Sequence, residues 1–193
     1  MKKFIVMILA VILCFGLAAC GSDSGSSDQS GNATPSEETK PEYTTYEAGT
    51  YKVGSDLPAG EYLIEGSGYF EIDKDSSGTF ESILANDNYV NRTYITVSDG
   101  QYVEFEGTAI PVNEAPAYSK DTYEQGMYKI GKDLPAGEYK IESIDGADAY
   151  LEVNSDSTHT FESIISNDNF SGQKYITVSD GQYLKLVNCT IVQ

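Results

Sequence analysis

The chain has 193 residues, with 30 Asp and Glu against 12 Lys and Arg, a formal charge of −18, a single His and no Trp. So acidic a surface repels nucleic acid, teichoic-acid-like polymers and anionic lipid headgroups, and leaves cations, basic proteins and neutral glycans as partners. The same charge also serves simply to keep an exported protein soluble.

The first element is Lys2-Lys3 followed by an apolar run over residues 4–15 and then Leu17-Ala18-Ala19-Cys20. A cationic start, a short apolar segment and small residues before a cut have the layout of a secretory signal. The run is shorter than the ~20 residues that a membrane-spanning helix needs. With Cys directly after the small residues, the segment resembles the lipobox of bacterial lipoproteins. That resemblance implies cleavage between Ala19 and Cys20 and a diacylglycerol on the Cys20 sulfur, holding the chain at the extracellular face of the cell membrane. Two acyl chains suffice for stable anchoring. Removing residues 1–19 leaves 10 basic against 30 acidic residues. Cys189 is then the one remaining thiol and no intrachain disulfide is expected.

Residues 20–46 are Ser, Gly, Thr and acid with almost no aliphatic side chain, and read as a disordered linker. Beyond it the chain repeats itself. Tyr51-Lys52-Val53-Gly54-Ser55-Asp56-Leu57-Pro58-Ala59-Gly60-Glu61-Tyr62 returns at residues 128–139, and residues 94–102 return unchanged at 175–183. The offset is 77 early in the repeat and 81 later, so four residues have entered the second copy between Glu142 and Tyr150. Module 1 is assigned to residues 47–112, a joint to 113–123 and module 2 to 124–193.

Tyr, Val, Ile, Thr and Phe alternate with polar residues over short runs punctuated by Gly, Pro, Asn and Asp, which predicts an all-β chain. Each module is expected to be a small β-sandwich or part-open barrel. The Leu57-Pro58-Ala59-Gly60 turn is expected to bring residues 51–53 against residues 62–64. At Ser98-Asp99-Gly100 a three-residue loop with left-handed Gly100 would pair Ile95 with Val103, Tyr94 with Glu104 and Thr96 with Tyr102. The spacing of Phe80, Ile83 and Leu84 also permits a short helix. Modules this small are marginal alone, so the two are expected to pack on each other.

By residues 51–62 and 94–102 the chain resembles a repeat found in tandem in exported lipoproteins of Gram-positive bacteria. More distantly, Gly49-Thr50-Tyr51-Lys52-Val53-Gly54-Ser55-Asp56-Leu57 with Pro58, Gly60 and Tyr62 is similar to secreted actinobacterial modules. The resemblance implies exported β-modules and no established activity. It does not extend to the Cys and Trp of the actinobacterial modules.

Duplication tests for catalysis. His159 aligns with Gly78, Arg92 with Gln173 and Cys189 with Thr108, so the reactive side chains occur in one copy each. The acids are shared: Asp56/Asp133, Glu61/Glu138, Glu71/Glu152, Asp75/Asp156, Glu81/Glu162 and Asp99/Asp180. A hydrolase built on them would need a cleft that sets two carboxyls ~5 to 10 Å apart. A module of about 70 residues rarely supplies such a cleft, so no enzyme and no cofactor are expected; nor is a metal, because Asp73-Lys74-Asp75-Ser76-Ser77-Gly78 begins like a calcium loop but reaches Leu84 where the closing carboxylate belongs. The candidate binding residues are tyrosines placed on an outward face, namely Tyr69, Tyr94 and Tyr102 with their counterparts Tyr150, Tyr175 and Tyr183. These rings either stack on a sugar or hold a peptide, or they form a second layer of core with hydroxyls at its rim. The expected function is a lipid-anchored surface protein whose modules bind an extracellular or wall-associated glycan or protein. A passive spacer of the envelope is the alternative.

Overall fold

The computed structural model describes residues 43–192; the signal segment, Cys20 and the linker up to residue 42 lie outside them. The described chain is all-β and falls within one compact unit. Module 1 contains β1 (Tyr46–Lys52), β2 (Gly60–Glu65), β3 (Gly68–Asp73), β4 (Ile83–Tyr89), β5 (Arg92–Val97) and β6 (Tyr102–Pro111). The ten-residue β6 organises it. β3 pairs with its first half and β2 with its second, end to end on one side, while β1 runs along the other. With β4 outside β3 and β5 outside β2, the sheet curls around the alternate residues that point inward, among them Ile64, Phe70, Ile72, Ile95, Val103 and Phe105.

Module 2 repeats the plan with β7 (Gly126–Lys129), β8 (Gly137–Ser143), β9 (Ala149–Asn154), β10 (Ile164–Phe170), β11 (Gln173–Val178), β12 (Tyr183–Val187) and β13 (Cys189–Val192). Here the long strand is divided in two at Asn188, whose φ of 54° matches Gly107 (φ 82°) in module 1. Left-handed positions recur at the other turns too: Gly78 and His159, Asn91 and Gly172, Gly100 and Gly181.

Two expectations about pairing and one about the linker are corrected. β5 and β6 form no ladder. β5 crosses to β2, setting Ile95 against Tyr62, Tyr94 against Leu63 and Thr96 against Glu61. Gly100 is left-handed as expected, but its N–H donates to the Val53 carbonyl and the Val53 N–H to that of Gln101, so the loop is tied to the end of β1 and turns a corner. β1 and β2 likewise lie on opposite sides of β6, and the chain between them buries Val53 and Leu57 in the core. The linker also ends earlier than residue 46. Tyr43 packs on a buried cluster, the Thr44 N–H donates to Glu114 at 2.7 Å, and Tyr46 opens β1.

The short helix is realised only as single 3-10 turns, Phe80–Ser82 and Phe161–Ser163. Ser82 and Ser163 are buried in them and their hydroxyls bond Asp73 and Asn154. Each turn therefore holds its Phe outward. The four added residues form the segment around the 3-10 turn Ile144–Gly146, which leans on the long-strand break through Ile144 N–H and the Asn188 carbonyl.

Candidate binding cleft at the module junction

The site exists because β5 of module 1 packs edge to edge against β7 of module 2. Gly126 permits the approach: a Cβ there would lie 2.9 Å from Cγ of Arg92. Beside it Leu63, Tyr94 and Ile110 of module 1 bury against Met127 and Tyr183 of module 2. The polar lock of this junction is Asp133. Its Oδ2 accepts the Tyr94 hydroxyl at 2.6 Å, Arg92 Nη2 at 3.1 Å and the Lys129 N–H at 2.9 Å, and its Oδ1 accepts the Tyr118 N–H at 3.2 Å. Arg92 is buried among the rings of Tyr94, Tyr118 and Tyr128, with its carbon centre 4.8 Å from the Tyr118 centroid. Such cation–ring contacts strengthen when desolvated.

A second set of bonds lies along the same seam. Glu61 accepts Lys129 Nζ and the hydroxyls of Tyr183 and Ser157, and the Thr96 N–H donates to the Ser157 carbonyl at 2.9 Å. The loop after β9 then inserts His159 into module 1. Its ring meets Phe70 edge-on at 4.7 Å, and Nε2–H donates to the Tyr94 carbonyl at 2.7 Å. His159 reaches this position with a left-handed backbone, φ 56°.

Where the β4 side of module 1 faces this loop, a cleft opens. Its inner part, about 180 Å³, is lined by the charged Asp87, Glu152 and Lys185 with the His159 imidazole beside them. Lys185 Nζ is ion-paired with Asp87, and His159 Nδ1 lies 3.9 Å from the same carboxylate. The outer part, about 460 Å³, is walled by Phe80, Leu84 and Phe161 with Asn86, Thr160 and Glu162. Phe80 and Phe161 are 86% and 90% exposed. Two aromatic rings at nearly full exposure thus line one pocket, one contributed by each module.

Burial, more than the attraction of Asp87 and Glu152, sets the His159 pKa, and the result lies below the ordinary 6.5. The unfolded chain then takes up this proton at a higher pH than the folded one. Stability is full above 6.5 and falls as pH drops beneath it. Urea midpoints should decline between about pH 7 and about pH 5 in the native chain, and the decline should vanish in His159→Gly, which suits the left-handed backbone. An unchanged slope in that variant would remove His159 from the pH response.

The tyrosines do not form one face. Tyr94 and Tyr183 are buried at the junction, 5.7 Å apart between centroids, because β5 faces module 2 and not solvent. This corrects their outward placement. Tyr69 and Tyr150 are half-buried and donate to Glu71 and Glu152, and Tyr102 sits under Lys52 Nζ at 5.8 Å. Tyr175 alone of the six is well exposed, at 63%.

The shared acids are likewise spread over separate tasks. Asp56 and Asp133 close the same turn, Asp75 and Asp156 accept backbone N–H groups two residues on, and Glu81 and Glu162 face solvent. Among the described residues no group of three or more His, Cys, Asp or Glu is arranged to hold a metal. Cys189 is fully buried at the start of β13, and burial pushes its thiol up to about 11, so it stays protonated and inert at neutral pH.

Phe80, Phe161, His159, Asp87 and Lys185 were not singled out as a site by sequence. One signal was available for the pair of rings: Phe-Glu-Ser-Ile occurs in both copies at residues 80–83 and 161–164, and its Phe has no place in the strand alternation that follows. No family model, curated protein or solved structure matches the chain.

Proposed function

We propose that this is a surface lipoprotein, anchored to the outer face of the membrane through a diacylated Cys20, that binds an extracellular protein at the junction cleft without chemistry. The observation that carries the reading is the pair Phe80 and Phe161, both exposed and both lining a cleft to which each module contributes. The bound segment is basic and partly apolar. Apolar side chains cover the two rings, and cations meet Glu81 and Glu162, which follow them in the chain and are exposed. The anchor rests on Leu17-Ala18-Ala19-Cys20 and on the resemblance to tandem-repeat lipoproteins of Gram-positive bacteria. The passive-spacer alternative leaves the exposed rings without a role.

The test uses residues 41–193, which fall in one compact unit. A cationic amphipathic peptide at 100 times its dissociation constant should add about 2.7 kcal/mol of stability, read from the melting temperature. A neutral wall-type oligosaccharide should add none. Phe80→Ser with Phe161→Ser should abolish the peptide effect while leaving the melting point of the free protein unchanged, because both rings lie in solvent. No shift with any cationic peptide of a varied panel would favour the spacer, and a shift with the oligosaccharide alone would reassign the cleft to a glycan.

A further inference from the structure

The junction between the modules is heterologous. One surface of module 1 meets a different surface of module 2, and each module, being a copy of the other, carries both. One half of each surface pair is therefore left over at either end of the folded chain. We propose that copies of the protein associate head to tail, the free β11 face of one docking on the free β1 face of the next in the arrangement that β5 and β7 use within the chain.

The polar frame of the junction is present in both free halves. Asp133 receives the Tyr94 hydroxyl inside the chain. At the ends, the exposed Asp56 and the 63% exposed Tyr175 are their counterparts. Glu61 receives Lys129 and Tyr183, and the free counterparts are Glu138 on one end and Lys52 with Tyr102 on the other. The Thr96 N–H to Ser157 carbonyl bond has Thr177 and Ser76, both exposed, in the same places.

The receiving face is already set in the docked geometry. Lys52 Nζ stands 5.8 Å over the Tyr102 ring as Lys129 stands 5.2 Å over Tyr183. Asp56 holds the Lys52 N–H at 2.9 Å, as Asp133 holds that of Lys129. Gly49 stands where Gly126 admits the neighbouring strand, and the atoms nearest to a Cβ on it are those of its own chain's Tyr51 ring, 3.5 Å away. Such a face loses little freedom on docking.

The contact between copies is weaker than the one within the chain, because its apolar and cationic anchors are altered. Leu63 becomes Lys140, Met127 becomes Thr50, Arg92 becomes Gln173 and His159 becomes Gly78. One electrostatic change is compensated. Lys185, which pairs with Asp87 across the junction, becomes Glu104, but the counterpart Asp168 already carries Lys174, which stands ready for that new carboxylate. Association is therefore concentration-dependent and open-ended, since a heterologous contact propagates unless its rotation closes a ring.

Sedimentation velocity of residues 41–193 over a wide concentration range tests the proposal. The weight-average sedimentation coefficient should rise with concentration, and Tyr175→Ala, on an exposed face that leaves the fold intact, should abolish the rise. Thr50→Met with Lys140→Leu restores the two apolar anchors and should tighten the association by about tenfold or more. Phe80→Ser with Phe161→Ser should leave it unchanged, which separates self-association from occupancy of the cleft. A chain that stays monomeric at every concentration, or an association indifferent to Tyr175 and to the restored anchors, would overturn the proposal.

Discussion

Asp133→Ala should lower the unfolding free energy by about 3 to 5 kcal/mol, the range for removing one partner from a buried ion pair. The carboxylate accepts four hydrogen bonds, and its side chain is fully buried beside an Arg92 side chain that is itself 5% exposed. Without it the guanidinium is left among three tyrosine rings with no counter-charge, and its Nε already lacks a hydrogen-bond partner. The duplication supplies the control. Asp56→Ala removes the same residue from the same turn, but there the carboxylate is exposed and accepts only the Lys52 N–H and the hydroxyl of the adjacent Ser55, so about 1 kcal/mol is expected. Replacing Arg92 and Asp133 together by Leu should cost less than Asp133→Ala, since a buried pair exchanged for apolar groups is often close to neutral. Urea titration reads all three. A loss under about 1 kcal/mol for Asp133→Ala would mean that the junction is held elsewhere.

Gly107→Ala should cost about 3 kcal/mol or more, combining a left-handed backbone with a backbone clash. Gly107 has φ 82°, and a Cβ on it would fall 2.4 Å from the Glu65 carbonyl oxygen. The crowding has a structural origin: at this residue β6 passes from its pairing with β3 to its pairing with β2, and the turn between those two strands presses on it. Module 2 handles the same transition differently, with Asn188 at φ 54° and the strand broken into β12 and β13. Asn188→Gly should therefore change stability by less than about 1 kcal/mol, the loss of one exposed side-chain bond to the Asp148 carbonyl offsetting the relief of strain. Equal thermal stability of Gly107→Ala and the native protein would show that β6 bends elsewhere.

The all-β character was legible because strand-forming residues alternate and the turn residues repeat at fixed positions. Gly100 and Gly181 are left-handed as their loop chemistry requires. Pairing was less legible. A hairpin is the default for two strands joined by so short a loop, and nothing local in Ser98-Asp99-Gly100 tells that Val53 will capture the loop and send β5 to the far side of the sheet. The tyrosines misled for a related reason. Tyr94 and Tyr175 lie in identical nine-residue segments, yet one is buried and the other is 63% exposed, because their surroundings are set by the neighbouring module. The clue to that asymmetry lay in the differences between copies. Arg92 against Gln173 and His159 against Gly78 are substitutions that fit a one-sided junction, since both larger side chains lie in it, whereas read as a test for catalysis they marked these residues as idle.

The acidity of the chain also acquires a location. Lys129, Lys185 and Arg92 are each engaged by a carboxylate of the other module, so three cations and three carboxylates neutralise one another inside the junction and the chain's net negative charge is carried by the remaining surface. A cationic partner segment is attracted by such a surface over a Debye length of about 8 Å at physiological salt. Binding at the cleft should accordingly weaken as salt rises.

Everything proposed for the cleft depends on the two modules folding as one body, and differential scanning calorimetry of residues 41–193 tests that most directly. A single transition is predicted, with calorimetric and van't Hoff enthalpies equal, and it should separate into two in Asp133→Ala. Two transitions in the native protein, each with the enthalpy of one module, would contradict it: the modules would then be independent beads, and the walls carrying Phe80 and Phe161 would face each other only by chance.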